Sequence, residues 1–178
     1  MEKGMKKDFV APIVVLTLIC LVIAAALAIT NNFTEPVITA AAAERAARAR
    51  LDIIPEAEGF EPLPLDGMPG GVSEAYRTTN NTGYIFIMKA GGYGGDIEII
   101  CGITEDGKII TTMVLQHNET KGLGARVAEP AFGSQFDGKD SALEGVSAIS
   151  GASISSKAYI GAMQGAFEAY AAVSGVSG

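Results

Sequence analysis

From Val10 to Ile29 the chain runs for 20 residues without a charged side chain. A helix rises about 1.5 Å per residue, so this run is long enough to cross a hydrocarbon core of roughly 30 Å. It reads as a transmembrane helix over residues 10–29, with Pro12 in its first turn, where a missing N–H costs little. Lys3, Lys6 and Lys7 precede the run, while the flank after it, Thr30-Asn31-Asn32-Phe33-Thr34-Glu35, has no cation. The positive-inside rule therefore places residues 1–9 in the cytoplasm and residues 30–178 on the extracytoplasmic side of the cell (inner) membrane, as a single-pass protein. A cleavable signal peptide competes with this reading, because Ala26-Leu27-Ala28 has the form of an A-x-A cleavage site. The apolar run exceeds a signal peptide's usual core of about 7–15 residues, which favours a retained anchor. Cys20 follows Ile19, a residue too bulky for a lipoprotein cut.

Charge divides along the same line. Residues 1–9 hold three Lys against one Glu and one Asp, so the remainder is more acidic than the whole chain's −7. An acidic outer domain argues against nucleic acid and against anionic lipid headgroups as partners. The two cysteines, Cys20 in the apolar run and Cys101 in an apolar strand, imply no disulfide framework.

Residues 30–71 read as a helix and an irregular connection. Glu35-Pro36 opens a helical segment through about Leu51, rich in Ala and carrying Glu44, Arg45, Arg48 and Arg50, suited to lie against the outer domain. Pro55, Gly59, Pro62, Pro64, Gly67, Pro69, Gly70 and Gly71 then break regular structure. Residues 72–178 form the outer domain. Four strand-like runs follow at Val72–Thr79, Gly83–Ala90, Asp96–Ile103 and Lys108–His117, joined by Asn80-Asn81-Thr82-Gly83 and Glu105-Asp106-Gly107-Lys108, whose residues tolerate positive φ. The expectation is an α+β domain with a twisted antiparallel sheet and flanking helices. Gly91-Gly92-Tyr93-Gly94-Gly95 joins the middle pair and reads as a loop, since no helix follows it and the G-x-G-x-x-G spacing is absent.

The candidate chemistry lies in Ser150-Gly151-Ala152-Ser153-Ile154-Ser155-Ser156-Lys157, four hydroxyls and a cation at a helix start. Ile154, Ala158, Ala162, Ala166 and Tyr170 recur every four residues, with Tyr159, Met163 and Phe167 on the same stripe, which marks an amphipathic helix. Ser153 then stands at or beside the N-cap. Free N–H groups and the positive end of the helix dipole point outward there and suit a phosphate. Serine is also an ordinary N-cap residue, and Gly-Ala-Ser ordinary turn chemistry.

Other chemistries fare poorly. His117 is the only histidine; with Glu119 it makes a weak metal or acid–base case, and no metal is expected. There is no C-x-x-C-H for haem and no four-cysteine set for an iron–sulfur cluster, so any redox cofactor is organic. The G-x-S-x-G elbow is absent, and no base is partnered to Ser153 in the sequence, so no catalytic residue is assigned.

Three stretches carry a family resemblance. His117-x-Glu119-Thr120-Lys121-Gly122-Leu123-Gly124, then Phe132 with Gln135-Phe136-x-Gly138-Lys139, then Ser150-Gly151-Ala152-Ser153-x-Ser155-Ser156, resemble the G subunit of the Rnf electron transport complex, which binds FMN covalently. The C subunit of the sodium-translocating NADH:quinone reductase is similar. The resemblance covers nearly the whole chain, including the N-terminal span, the Gly-Tyr-Gly-Gly loop and the Asp-Gly-Lys-Ile hairpin.

The resemblance implies an FMN-binding domain whose cofactor is joined by a phosphodiester to the last hydroxyl of an S/T-G-A-T pattern, made by a flavin transferase that uses FAD. That position is Ser153, a serine where the family has threonine; the nucleophilic oxygen is the same. Ser147 stands where the family usually has Asp, and Lys121 where it has Pro. It further implies that Ser150, Ser155 and Ser156 hydrogen-bond the phosphate, that Gly151 and Ala152 let the backbone approach it and that Lys157 supplies charge. Thr120, Gly122, Leu123 and Gly124 would wall the ring, with His117 and Glu119 as candidate contacts. The implied role is electron relay within a membrane complex coupling ferredoxin and NAD oxidoreduction to ion transport, with other membrane subunits as partners and no catalysis by this subunit alone. Alternatives are the quinone reductase subunit, whose relatives are typically longer, and a membrane-anchored, non-redox FMN-binding or sensory module.

Overall fold

A computed structural model describes residues 2–175, with side chains from Val10 onward. Met1 and residues 176–178, the outer ends of the expected segments 1–9 and 72–178, lie outside the described residues. The chain forms two compact units, Met1–Glu44 and Arg45–Gly178.

The first unit is helical. Helix α1 runs as Glu2–Ile53, with Pro12 and Pro36 inside it. Two expectations are corrected here: Pro12 is not in a first turn, and Glu35-Pro36 does not open a new helix. A proline forfeits one helical N–H bond but holds φ near the helical value, and the helix continues on both sides of each position. Thr34 and Thr39 send their hydroxyls back to the carbonyls of Thr30 and Glu35, both at 2.8 Å. The uncharged run lies wholly within α1, its large apolar side chains exposed, and by length and composition it fits a membrane-crossing helix.

In the second unit, β1 (Phe60–Pro62), β2 (Val72–Thr78), β3 (Gly83–Gly91), β4 (Asp96–Thr104) and β5 (Ile109–Gln116) form one antiparallel sheet in chain order. The four expected strands match β2 to β5 within a residue at each end. The short β1 falls in the stretch expected to be irregular; it pairs Phe60 with Thr78 and Pro62 with Tyr76. Between β2 and β3 the turn is locked by one hydroxyl: Thr78 Oγ1 accepts the N–H groups of Thr82 and Gly83 at 2.8 and 3.0 Å.

Strand β3 explains the packing. Its residues Tyr84 to Met88 are all buried, because alternate side chains of a strand point to opposite faces and both faces are covered. Tyr84, Phe86 and Met88 join Ile97, Ile99, Cys101 and Ile103 of β4 against helix α3 (Ser153–Ser174). Ile85, Ile87 and Ile100 face Ala46, Ala49 and Ile53 in the last turns of α1. The approach is close at Gly102, where a Cβ would collide with the Ile53 side chain. Between β5 and α3 the chain makes a 3₁₀ turn over Gly124–Ala128, a short helix α2 (Pro130–Gly133) and another 3₁₀ turn over Ser134–Phe136. Phe132, Phe136 and Tyr159 pack ring on ring beneath them.

Helix α3 buries Tyr159, Ala162, Met163, Ala166, Phe167 and Tyr170 as the four-residue spacing requires, and closes on Gly175 in the left-handed conformation. Ile154, expected on the same stripe, is 55% exposed. It precedes the first buried turn and faces outward, while Ser155 and Ser156 occupy the inward positions.

Candidate functional site

Helix α3 begins without a conventional cap. Its N-cap is Ala152, which has no side chain to accept an N–H, and the helical ladder starts only where the Ser156 N–H donates to the Ala152 carbonyl at 2.9 Å. The N–H groups of Ser153, Ile154 and Ser155 thus have no intrahelical acceptor. Gly151 delivers the chain to this point at φ +82°, a conformation that L side chains rarely adopt. Ser153 is the first helical residue and is exposed.

The second stretch faces this helix start. A cavity of about 380 Å³ is lined by Glu119, Thr120, Leu123 and Gly124 on one side and Gly151 to Ser155 on the other, with Tyr93 at its edge. The fold thus joins two stretches that lie well apart in the sequence. Of the expected site residues, Glu119, Thr120, Leu123, Gly124, Gly151, Ala152, Ser153 and Ser155 share this cavity; His117, Gly122, Ser150, Ser156 and Lys157 are outside its lining.

Those outside have their own places. Ser156 is buried and its Oγ accepts the Ile149 N–H at 3.0 Å, fixing the loop before the helix. His117 Nδ1 accepts the Glu119 N–H at 3.1 Å and shapes the end of β5. Lys157 is exposed one helical turn beyond Ser153, on the same side of α3. Ser150 is exposed, and its carbonyl accepts from Arg126 Nη1 at 3.5 Å. Gly122 turns the chain at φ +75°. Arg126 and Tyr93 were not singled out from the sequence. The signal for Arg126 was slight, a lone cation in a short turn. That for Tyr93 was better, a large ring amid four glycines.

The cavity holds two unsatisfied groups. Glu119 is 7% exposed and Ser155 1%, and neither Glu119 Oε2 nor Ser155 Oγ has a hydrogen-bond partner. Buried polar atoms are nearly always paired, because an unpaired one keeps its desolvation penalty. Both lie beside Gly124, where a Cβ would collide with Glu119 Oε2 and sit 2.9 Å from Ser155 Oγ. The other carboxyl oxygen, Glu119 Oε1, accepts the N–H groups of Tyr93 and Gly94 at 2.7 and 3.1 Å. The glycine loop's donors are thus taken by the protein's own carboxyl group. The mouth is apolar: Tyr93, Leu123 and Ile154 are each more than half exposed.

These features suit a ligand with a polar head and an apolar body. The cavity falls within the usual size of small-molecule sites, uncapped helix N–H groups suit a phosphate, and the orphan carboxyl oxygen and hydroxyl suit polar X–H or acceptor groups. The residues present therefore fit FMN. Among the described residues no three His, Cys, Asp or Glu side chains cluster around a metal position.

Comparison with known proteins agrees. The family model for the FMN-binding domain matches residues 92–168, a span that contains the whole cavity lining. The G subunit of an ion-translocating oxidoreductase complex from Methanosarcina acetivorans is 34% identical, over 95% of this chain and 98% of the relative. The G subunit of the Na(+)-translocating ferredoxin:NAD(+) oxidoreductase complex from Acetobacterium woodii is 30% identical, over 88% of each chain. Its counterpart in the proton-translocating ferredoxin:NAD(+) oxidoreductase complex of Clostridium ljungdahlii is 37% identical, over 47% of this chain and 51% of the relative.

Proposed function

We propose, from the premise that this chain belongs to the G-subunit family of ion-translocating oxidoreductase complexes, that its cavity carries FMN joined through phosphate to the Ser153 hydroxyl. The chain is a membrane-anchored electron-transfer subunit with an FMN-binding domain. FMN supplies the electron-carrying chemistry when bound; the protein supplies position and environment.

One observation carries the reading. Ser153 places the exposed hydroxyl of an uncapped helix start on the cavity that also holds the orphan atoms of Glu119 and Ser155. The hydroxyl stands where free N–H groups and the helix dipole hold the phosphate it would carry. Lys157, one turn along, adds positive charge, and Arg126 steadies the preceding loop through the Ser150 carbonyl. Thr120, Leu123 and Gly124 wall the ring. Gly122, Ser150, Ser156 and His117 serve by shaping the two stretches rather than by lining the cavity.

The finer assignments follow. The partner complex is of the Rnf type and couples ferredoxin and NAD oxidoreduction to ion transport. Residues 10–29 hold the chain in the membrane, residues 1–9 stay cytoplasmic, and the domain of residues 72–178, reached through the connection of residues 30–71, stands on the extracytoplasmic side. A flavin transferase makes the bond from FAD: the Ser153 oxygen bonds to the FMN phosphorus, the pyrophosphate bond breaks, AMP leaves and the hydroxyl proton is released. The test is to express the full chain with and without such a transferase, extract it in detergent, and read in-gel flavin fluorescence after denaturation. Fluorescence that needs the transferase and vanishes in Ser153→Ala supports the linkage; fluorescence that persists in Ser153→Ala refutes it.

A further inference from the structure

Within the Arg45–Gly178 unit every described phenylalanine and tyrosine is buried or half-buried except Tyr93, which is 75% exposed. An exposed ring at a loop tip is commonly mobile, yet this loop is held firmly. Glu119 Oε1 takes the N–H groups of both Tyr93 and Gly94, and the Gly92 N–H donates to the Gly95 carbonyl at 2.9 Å. The loop also lies flush on the chain beneath it: a Cβ on Gly92 would collide with Glu119 Oε1, and one on Gly94 with the Asn118 carbonyl. A buried carboxyl group thus holds the backbone of a residue whose aromatic side chain stands in solvent, beside the cavity that Glu119 also lines.

We infer that Tyr93 is the aromatic wall of the cofactor site, held at the cavity mouth by the Glu119 clamp on the Gly91–Gly95 loop so that it stacks on the flat ring of the bound flavin. This rests on the FMN reading above and adds to it a residue and a second role for Glu119. Aromatic rings gain from offset stacking on one another beyond the area they bury. An exposed ring beside an apolar mouth that also presents Leu123 and Ile154 has that gain available only when a flat ligand is present. The clamp fixes the backbone that carries the ring at the cavity, so less ordering remains to be done when the ligand arrives.

The test uses the full chain in detergent, flavin-loaded by coexpression with a transferase, as wild type, Tyr93→Ala, Tyr93→Phe, Glu119→Ala and Glu119→Gln. Intact mass reports whether flavin is attached; flavin fluorescence and the position of its visible band report what touches the ring. Tyr93→Ala keeps its thermal midpoint but loses the quenching of flavin fluorescence and shifts the band toward that of free FMN. Tyr93→Phe keeps the band position, because a ring still stacks, and loses part of the quenching. Glu119→Ala behaves as Tyr93→Ala, since the loop is released, while Glu119→Gln retains an oxygen for the clamp and stays near wild type. Identical fluorescence and band position in loaded wild type and Tyr93→Ala overturn the proposal and point to Tyr93 as a contact for another protein of the complex. If no variant carries attached flavin, the Ser153 linkage fails, and free FMN is titrated into wild type and Tyr93→Ala instead. Stronger quenching by wild type still supports the wall; equal quenching, or no binding, overturns it.

Discussion

The Ser155 hydroxyl and the free oxygen of Glu119 converge on the open side of Gly124: a Cβ there would strike Glu119 Oε2 and approach Ser155 Oγ to 2.9 Å. Two buried polar atoms without partners, brought to one point by residues far apart in sequence, leave the site incomplete until something supplies their hydrogen bonds. Gly124→Ala fills that point. The extra carbon displaces the Glu119 carboxyl group and is expected to cost about 1–3 kcal/mol, as overpacking of a tight site does. Urea unfolding of the detergent-extracted chain measures this, and flavin content falls with it.

Ser155→Ala should act with opposite sign on the two states. In the flavin-free chain the buried hydroxyl has no partner, so its removal relieves a penalty of about 1–3 kcal/mol and leaves the protein as stable or more so. In the flavin-loaded chain it removes a ligand contact, so the stabilisation conferred by the cofactor shrinks. Thermal midpoints of both forms, wild type against variant, check the crossing.

Alkaline pH should unfold the FMN-binding domain through two buried acids. Burial pushes the Cys101 thiol above its ordinary 9.0 and the Tyr159 phenol above its ordinary 10.0, the latter opposed in part by its hydrogen bond to Thr112. Both groups hold their protons more tightly folded than unfolded. Their contribution is therefore fully present below the unfolded values and is lost as pH rises past 9.0, at up to about 1.4 kcal/mol per pH unit for each group. Thermal midpoints between pH 7 and 11 should show this decline. In Cys101→Ala its onset should move up toward 10.0, the ordinary tyrosine value.

Much of this architecture is legible in residue order alone. Strands β2 to β5 are bounded by Asn, Asp and Gly turns and rich in β-branched residues, so local chemistry fixes their ends. The face of α3 follows from its four-residue repeat because the stripe from Tyr159 to Tyr170 packs into the core. Ile154 departs from it because the first turn gives its inward positions to Ser155 and Ser156, the price of building a polar site where a core would otherwise start. β1 was hidden because Phe60–Pro62 depends on pairing with β2 rather than on its own Pro- and Gly-rich sequence. The passage of α1 through Pro36 was hidden for a related reason: a proline signals a boundary locally, while the long helix-forming tracts on both sides decide the outcome.

In the site, the two motifs could be named from the sequence, and Ser153 with them. The sharing of Glu119 between loop and cavity could not, because it depends on side-chain geometry between residues 92–94 and 119. Tyr93 was missed for the same reason. Its glycine neighbours signalled a loop, and only the fold shows which carboxyl group holds that loop and which cavity its ring overlooks.

The central claim is the bond at Ser153, and a single peptide tests it. Trypsin cleaving after Lys139 and Lys157 releases residues 140–157, which contain Ser141, Ser147, Ser150, Ser153, Ser155 and Ser156 together. In full-length chain coexpressed with a flavin transferase, the account predicts this peptide at the mass of an FMN adduct with one water lost, with fragment ions placing the added mass on Ser153. A bare peptide in fully digested protein, or fragment ions that place the flavin on another serine, would contradict it.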